Sequence, residues 1–535
     1  MATRLDAAAD VARLDAKLHG ADLLGDPGAF DAKWMDTFMG QIRGREYEGA
    51  RETLRRAVAC GVSDTIARQY ASVLEDFLRQ VDEASNPSPV EAQYGCCAVR
   101  VNADSTGKGL FVPGFCSWGE VLWKEQPLAY IQSPCSRKAV KVCCACLTPV
   151  GTLATQLLHM GLPVPPGAEE VLLNTPSSGS TEKPQESAEP IPCPRGCSEV
   201  FCSQECCDWA WEYSSHALLC SATLPPQRSK ALEAIEELAD EFDQEHILLL
   251  AHHVAVMLLH RKRGLSLEAV LQRYAHQFVT TPWDTLVDEE KDVPEPHDRA
   301  ANARKDTAAT RRKLLHRTTA LLHALFATEE LVEPLLDPEL LRSIIGSFEL
   351  INMCISLPHP LNREDIRGHL RKLLDTDSLR SLLAIQLKAD DDDDDNEDED
   401  TEAEVPSMES ALEALEECSL FANVLGSAQC EALALTNHSC LPNCDVDFAP
   451  FRNPLGGVCA GDGPGLWLYS LAKRPLLPGD EVLMAYLPSV VGQPLEIRRQ
   501  RLLKFGFTCQ CRCCLTDEKL ASEGVVIPPR PSSGG

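Results

Sequence analysis

This 535-residue chain is short of two things, long apolar runs and positive charge, and each shortage narrows what it does. The longest apolar stretch, Ile247–Leu259, is interrupted by His252 and His253. It is too short to span a hydrocarbon layer that needs about 20 apolar residues. The opening MATRLDAAADVARLDAKLHG has no apolar core of the kind a secretion signal carries. An intracellular protein with no membrane partner is therefore expected. Lys and Arg number 50 against 80 Asp and Glu, for a net charge of −30. The run Asp390–Asp395 with Glu397, Asp398, Glu399, Asp400, Glu402 and Glu404 carries −12 of this, which leaves −18 for the rest. The clusters Arg261-Lys262-Arg263 and Arg311-Arg312-Lys313 are too small to reverse that balance, and no strong basic import run is visible. Direct sequence-specific nucleic-acid binding is not expected, because phosphate contacts need basic surface. A basic protein is the partner such a field attracts.

What the chain has in quantity is cysteine, 24 residues of it. In a reducing compartment so many thiols point to zinc rather than disulfides. Cys143-x2-Cys146, Cys193-x3-Cys197, Cys202-x3-Cys206 and His216-x3-Cys220 are closely spaced pairs. Zn²⁺ takes four thiolate or imidazole ligands in a tetrahedron, and turns or the first turns of helices supply them as such pairs. Four pairs make two sites. Cys144 and Cys207 adjoin these residues, and the spacing favours their neighbours as ligands. Late in the chain, TNHSCLPNC (Thr436–Cys444) sets the amide of Asn437 and imidazole of His438 beside the thiol of Cys440. The cluster Cys509-x-Cys511-x2-Cys514 is available to complete a metal site with it.

In chain order, residues 1–93 read as helical, with Ala57, Ala67, Tyr70, Val73 and Phe77 at helix spacing. They form either a partner-binding hairpin or a structural cap. Ser85-Asn86-Pro87-Ser88-Pro89 reads as a linker. From Cys97 the texture changes to short strands and glycine turns, including Gly107-Lys108-Gly109. A long spacer, Leu147–Pro192, interrupts the cysteine pairs, and its PSSGSTEKPQESAEP portion reads as flexible. Residues 225–388 are helix-rich, with strong patterning over Leu232–Leu259 and Arg311–Phe326. The acidic run cannot pack; it is either a solvated linker or a device that steers a Lys/Arg-rich substrate. A helix is expected around Met408–Leu425, then strands at Leu466–Leu471 and Glu481–Tyr486, then a helix at Leu495–Lys504.

In sequence order GKGLF, the paired-ligand module, a helical insert with IIGSFELIN (Ile344–Asn352), NHSCLPN, GDEVLMAY and GFTCQCRCC resemble the SET and MYND-domain protein lysine methyltransferases. The resemblance covers about residues 94–515, and the long insertion, IIGSFEL and the terminal cysteines make it most like the plant trithorax-related subgroup. It implies an α+β protein, a SET β-fold with a C-terminal pseudoknot and an inserted MYND double-zinc module. The expected parts are an N-terminal helical extension (1–93), the first SET part (94–142) and the zinc module (143–220, flexible insertion 147–192). A helical SET insert (221–388), an acidic disordered linker (389–408), the SET core (409–490), a post-SET zinc segment (491–520) and a disordered tail (521–535) follow.

By that resemblance Cys143, Cys146, Cys202 and Cys206 hold one zinc, and Cys193, Cys197, His216 and Cys220 a second. Cys440, Cys509, Cys511 and Cys514 hold a third, with Cys513 left out. S-adenosylmethionine would rest on Lys108, Gly109, Asn437, His438 and Tyr486, with Phe507 near its adenine, Tyr486 also as catalytic residue and Phe505 in the substrate-lysine channel. The implied activity is protein-lysine N-methylation, directed at histone in the nucleus and also the cytoplasm, with Pro-rich partner peptides at the MYND module. The alternative is an inactive scaffold that binds partners through its zinc module. Three departures stand out. The Cys193–Cys197 pair is one residue wider than usual, Gly346 stands where many relatives carry Asn, and Phe505 where they commonly carry tyrosine. Loss of that hydroxyl implies a tendency toward higher methylation.

Overall fold

Apolar residues recurring three and four apart through 33–85 become three helices, Lys33–Arg43, Tyr47–Ala59 and Asp64–Ser85, in the computed structural model of the chain. That structure describes residues 33–44, 46–85, 93–101, 107–171, 173, 189–278, 281–286, 307–363, 370, 372–373, 381–382, 420–450 and 463–523. The acidic linker, the PSSGSTEKPQESAEP segment but for its last two residues and the end of the tail lie outside them, as do residues 1–32 and 86–92. The chain divides into two units, Met1–Lys124 with Leu435–Asp447 and Tyr469–Gly535, and Glu125–Ala434 with Phe448–Leu468.

In the first unit the three helices close a core of Trp34, Phe38, Ile42, Leu54, Tyr70 and Leu74, into which Leu477 also inserts. Tyr70 meets the rings of Trp34 and Phe38 at 4.9 and 5.3 Å. The strands Gln93–Tyr94, Cys97–Val101 and Lys108–Phe111 follow as an antiparallel sheet, in which Val99 pairs with Leu110 and Arg100 with Gly109. Gly95, at φ 54°, makes the turn, and a Cβ there would stand 2.4 Å from the Leu122 carbonyl. Asn437–His438 forms a short parallel pair with Leu483–Met484. Helices Leu495–Leu502 and Arg512–Ser522 complete the unit.

In the second unit the patterning over 232–259 resolves into two helices, Pro226–Glu241 and Glu245–Lys262, parted at Asp243, whose φ of 46° is left-handed. The second is apolar on every side and is buried accordingly. His253 bonds the Tyr274 carbonyl at 2.9 Å and His252 the Ser215 hydroxyl at 2.7 Å, so both are packed helix residues. Helices Ala308–Leu325 and Pro338–Ile351 enclose the same core. The sheet Ala129–Gln132, Val424–Gln429, Met353–Leu357 is antiparallel throughout. Val424–Gln429 is a strand where the end of a helix was expected, and residues 408–419 of that expected helix are outside the described ones.

Two further expectations meet a different structure. The first part of 147–192 is folded rather than flexible: Leu153–His159 is a helix with a Thr152–Thr155 capping box, and Leu153 and Leu157 are buried against Leu361 and Phe421. The four-residue spacing of Leu153 and Leu157 after Thr152 carried that signal, and the polar composition further along masked it. Gly346 lies in the helix Pro338–Ile351, where a Cβ would stand 1.9 Å from the Thr281 carbonyl oxygen and 2.9 Å from the Trp283 nitrogen. Backbone packs on backbone there, and no side chain fits.

Candidate active site and metal centres

The paired cysteines fold into compact clusters because turns and first helical turns present them. Ile191–Pro192 pairs with Val200–Phe201, and the helix Gln204–Tyr213, capped by Ser203, presents Cys206. Ligand atoms of Cys143, Cys146, Cys202 and Cys206 lie within 4.8 Å of one another, as do those of Cys193, Cys197, His216 and Cys220, and those of Cys440, Cys509, Cys511 and Cys514. Zn–S bonds of about 2.3 Å in a tetrahedron place the sulfurs about 3.8 Å apart. Cys146–Cys202 is 3.6 Å, Cys193–Cys220 3.8 Å, Cys440–Cys509 3.9 Å and Cys440–Cys514 3.6 Å. The donor sets and their spacing fit three zinc ions. Burial lowers the pKa of His216, which favours the neutral imidazole a metal needs. Cys144 stays outside both zinc-module sets and packs against the other ring nitrogen of His216 at 3.7 Å. Cys513 is likewise excluded. It accepts from Arg498 at 3.1 Å, and Arg498 pairs with Asp517 at 2.6 Å, all three buried.

The stretch Thr436–Cys444 is held from several sides. Asn443, 1% exposed, donates to the Glu481 carbonyl at 2.7 Å and accepts from Leu483 N–H at 2.7 Å, which locks the loop to the strand ahead of Tyr486. Asn437 donates to the Lys108 carbonyl at 3.0 Å and to the Glu481 carboxylate at 2.8 Å. Gly109 lies against the same groups, and a Cβ there would be 2.4 Å from Glu481 Oε1. The main chain at Lys108–Gly109 is therefore bare where Asn437 meets it. That bare edge and the amide suit the polar tail of an amino-acid-bearing cofactor, and the Phe507 ring suits a flat base.

His438 Nδ1 accepts from Tyr486 N–H at 3.1 Å, so the proton sits on Nε2, which faces Cys440 Sγ at 3.3 Å. Both ring nitrogens thus have protein partners, and what His438 offers a ligand is its main chain and ring face. Its ring ties the cysteine cluster to the tyrosine backbone. The Tyr486 hydroxyl donates to the Thr436 carbonyl at 3.1 Å. Burial, with a smaller contribution from Glu481, raises its pKa to about 12, so the phenol stays neutral at physiological pH. Its ring is 5.0 Å from Phe505, 6.2 Å from Phe507 and 5.3 Å from His438. The structure brings Lys108, Gly109, Asn437, His438, Tyr486, Phe505 and Phe507 into one site. Glu481, Asn443 and the Arg498–Asp517 pair were not singled out in the sequence. The first two sit inside motifs already noticed, and a signal for the third was the i, i+4 spacing of Cys513 and Asp517.

No family model matches the chain. Histone-lysine N-methyltransferase ATXR2 of Arabidopsis thaliana is 24% identical over 488 residues, 79% of this chain and 91% of that protein. N-lysine methyltransferase SMYD2 of Rattus norvegicus and that of Homo sapiens are 36% and 34% identical over 96 residues, 18% of each chain. With its motifs in this order, the chain is similar over most of its length to a plant histone-lysine N-methyltransferase and over a shorter stretch to animal N-lysine methyltransferases.

Proposed function

We propose that this chain is an S-adenosylmethionine-dependent protein-lysine N-methyltransferase, directed at histone and acting in chromatin regulation in the nucleus, with a cytoplasmic pool. The carrying observation is the single site that joins Asn437, His438 and Tyr486 to an aromatic wall of Phe505 and Phe507. The Lys108–Gly109 main chain, Asn437 and the His438 main chain hold the cofactor in this reading, and Phe507 covers its base. Bound there, S-adenosylmethionine supplies a methyl group already activated on sulfur, so the protein's task is binding and orientation. A free lysine amine, with a pKa of about 10.4, must shed its proton before it can attack. Walls of Phe505, Tyr486 and Phe507 exclude water and disfavour the ammonium form.

Tyr486 acts through its oxygen. Its proton is committed to the Thr436 carbonyl, which leaves the lone pairs to accept from the substrate amine and from polarised C–H groups. Alignment of the amine is the main gain. A zinc ion on Cys440, Cys509, Cys511 and Cys514 would hold together the segments that carry His438 and Phe507. A hollow of about 730 Å³ in the second unit, faced by Trp209, Tyr213, Tyr274 and Trp467, suits a Pro-rich partner peptide at the zinc module. An inactive scaffold would draw on Gly346, and close packing against Thr281 and Trp283 is a structural account of that glycine.

The test is transfer of radiolabelled methyl to histones and to whole lysate, with Tyr486→Phe alongside. The variant is expected to keep cofactor affinity within about twofold and lose at least about 100-fold in turnover. Wild-type turnover in that variant refutes the role of Tyr486, and a wild-type chain that labels no protein refutes the activity.

A further inference from the structure

The N-terminal helices have no part in the reading above, yet they hold one of its segments. Arg51 in the helix Tyr47–Ala59 donates to the Asp480 carboxylate at 2.7 Å, and Arg55, one turn on, donates to the same oxygen. The other carboxylate oxygen accepts from Leu477 N–H at 2.9 Å. Asp480 is 4% exposed, so its charge depends on these donors. Leu477 is buried in the core of the three helices. The helix also meets the far end of the unit through Glu52, which pairs with Arg512 at 3.2 Å.

Asp480 is one residue before Glu481, the carboxylate that holds Asn437. Its own backbone is fixed between the Val112 N–H, which donates to it at 3.0 Å, and Gly479, whose N–H donates to the Val112 carbonyl at 2.7 Å. Val482 N–H donates to the Leu110 carbonyl at 2.7 Å, so the whole turn is registered against the strand that begins at Lys108–Gly109. A displacement of Asp480 would carry Glu481 with it and misplace the Asn437 amide.

We propose that the N-terminal helical extension is a built-in clamp on the cofactor site, and that Arg51 and Arg55 are positioning residues acting through Asp480 and Glu481. The role assigned to the site rests on the methyltransferase reading; the clamp itself does not. A partner-free structural element of the enzyme is the consequence, rather than a docking arm for another protein.

The experiment uses the full chain with Arg51→Ala/Arg55→Ala, with Arg51→Lys/Arg55→Lys as the conservative pair. Arg56→Ala, which removes one exposed charge from the same helix, is the control. Hydrogen–deuterium exchange without cofactor should show amides 479–486 opening about tenfold faster in the double alanine variant, with zinc content unchanged. Unchanged exchange there overturns the clamp. S-adenosylmethionine affinity should fall about five- to tenfold, and its KM rise likewise, with kcat within about twofold. The lysine pair should recover most of both effects, and Arg56→Ala should show neither. Faster exchange with unaltered cofactor affinity overturns the positioning role. A wild-type chain that binds no S-adenosylmethionine overturns the methyltransferase reading, while the exchange measurement still decides the clamp.

Discussion

At the scale of single residues, two positions that look anomalous beside relatives have separate physical accounts. Gly346 is required by the close approach of the helix Pro338–Ile351 to Thr281 and Trp283. Gly346→Ala should therefore cost about 3 kcal/mol or more in unfolding free energy, as overpacking against backbone does. Urea denaturation checks this, and a loss under about 1 kcal/mol would show that the helix yields easily. Phe505 instead faces the site, 5.0 Å from Tyr486, with the Lys504 ammonium 5.4 Å from its ring. Phe505→Tyr adds a hydroxyl that competes for the amine and takes up channel volume. It should shift products toward lower methylation, read by mass spectrometry on a histone peptide. Strictly monomethyl product from both forms would count against a role for Phe505 in product degree.

At the scale of elements, the cysteine pairs were legible because metal geometry restricts spacing along the chain, whereas their division into two sets was implied by the resemblance, and the structure gathers the same two sets. The motif NHSC marked the site, but sequence alone could not show that the His438 ring spans Tyr486 N–H and Cys440 Sγ. Such a bridge depends on a parallel pairing of residues 437–438 with 483–484, which no local pattern encodes. For the same reason the clamp on Asp480 was invisible, since Arg51 and Asp480 are 429 positions apart. The helix Leu153–His159 was masked by the polar composition further along the insertion, although its capping pair is local. The His438 bridge makes the third metal more than a staple. Cys514→Ser should lower zinc from about three to about two per chain and weaken S-adenosylmethionine binding about tenfold or more. Metal analysis with calorimetry on the same sample decides it. Full cofactor affinity with two zinc ions would separate the cluster from the site.

At the scale of the whole molecule, charge is the property that bears on substrate capture. No helix among the described residues is long and apolar enough to cross a membrane. The acidic run 390–404 lies outside the described residues, and its composition alone supports steering of a basic substrate. Deletion of 390–404 should raise the apparent KM for a lysine-rich peptide about threefold at low salt, with the difference vanishing near about 0.3 M. Equal KM values at both salt concentrations would reduce the run to a spacer.

The burial of Leu477 in the core of the first three helices also sets an order of events during synthesis. Those helices end at Ser85, yet the last residue of their core, Leu477, and the carboxylate that pairs with Arg51, Asp480, are made roughly 390 positions later. At about 5–20 residues per second, that is a wait of about 20–80 s. For that interval the helical core has its own apolar residues but lacks Leu477. The helical core is thus assembled before the residue that completes it exists.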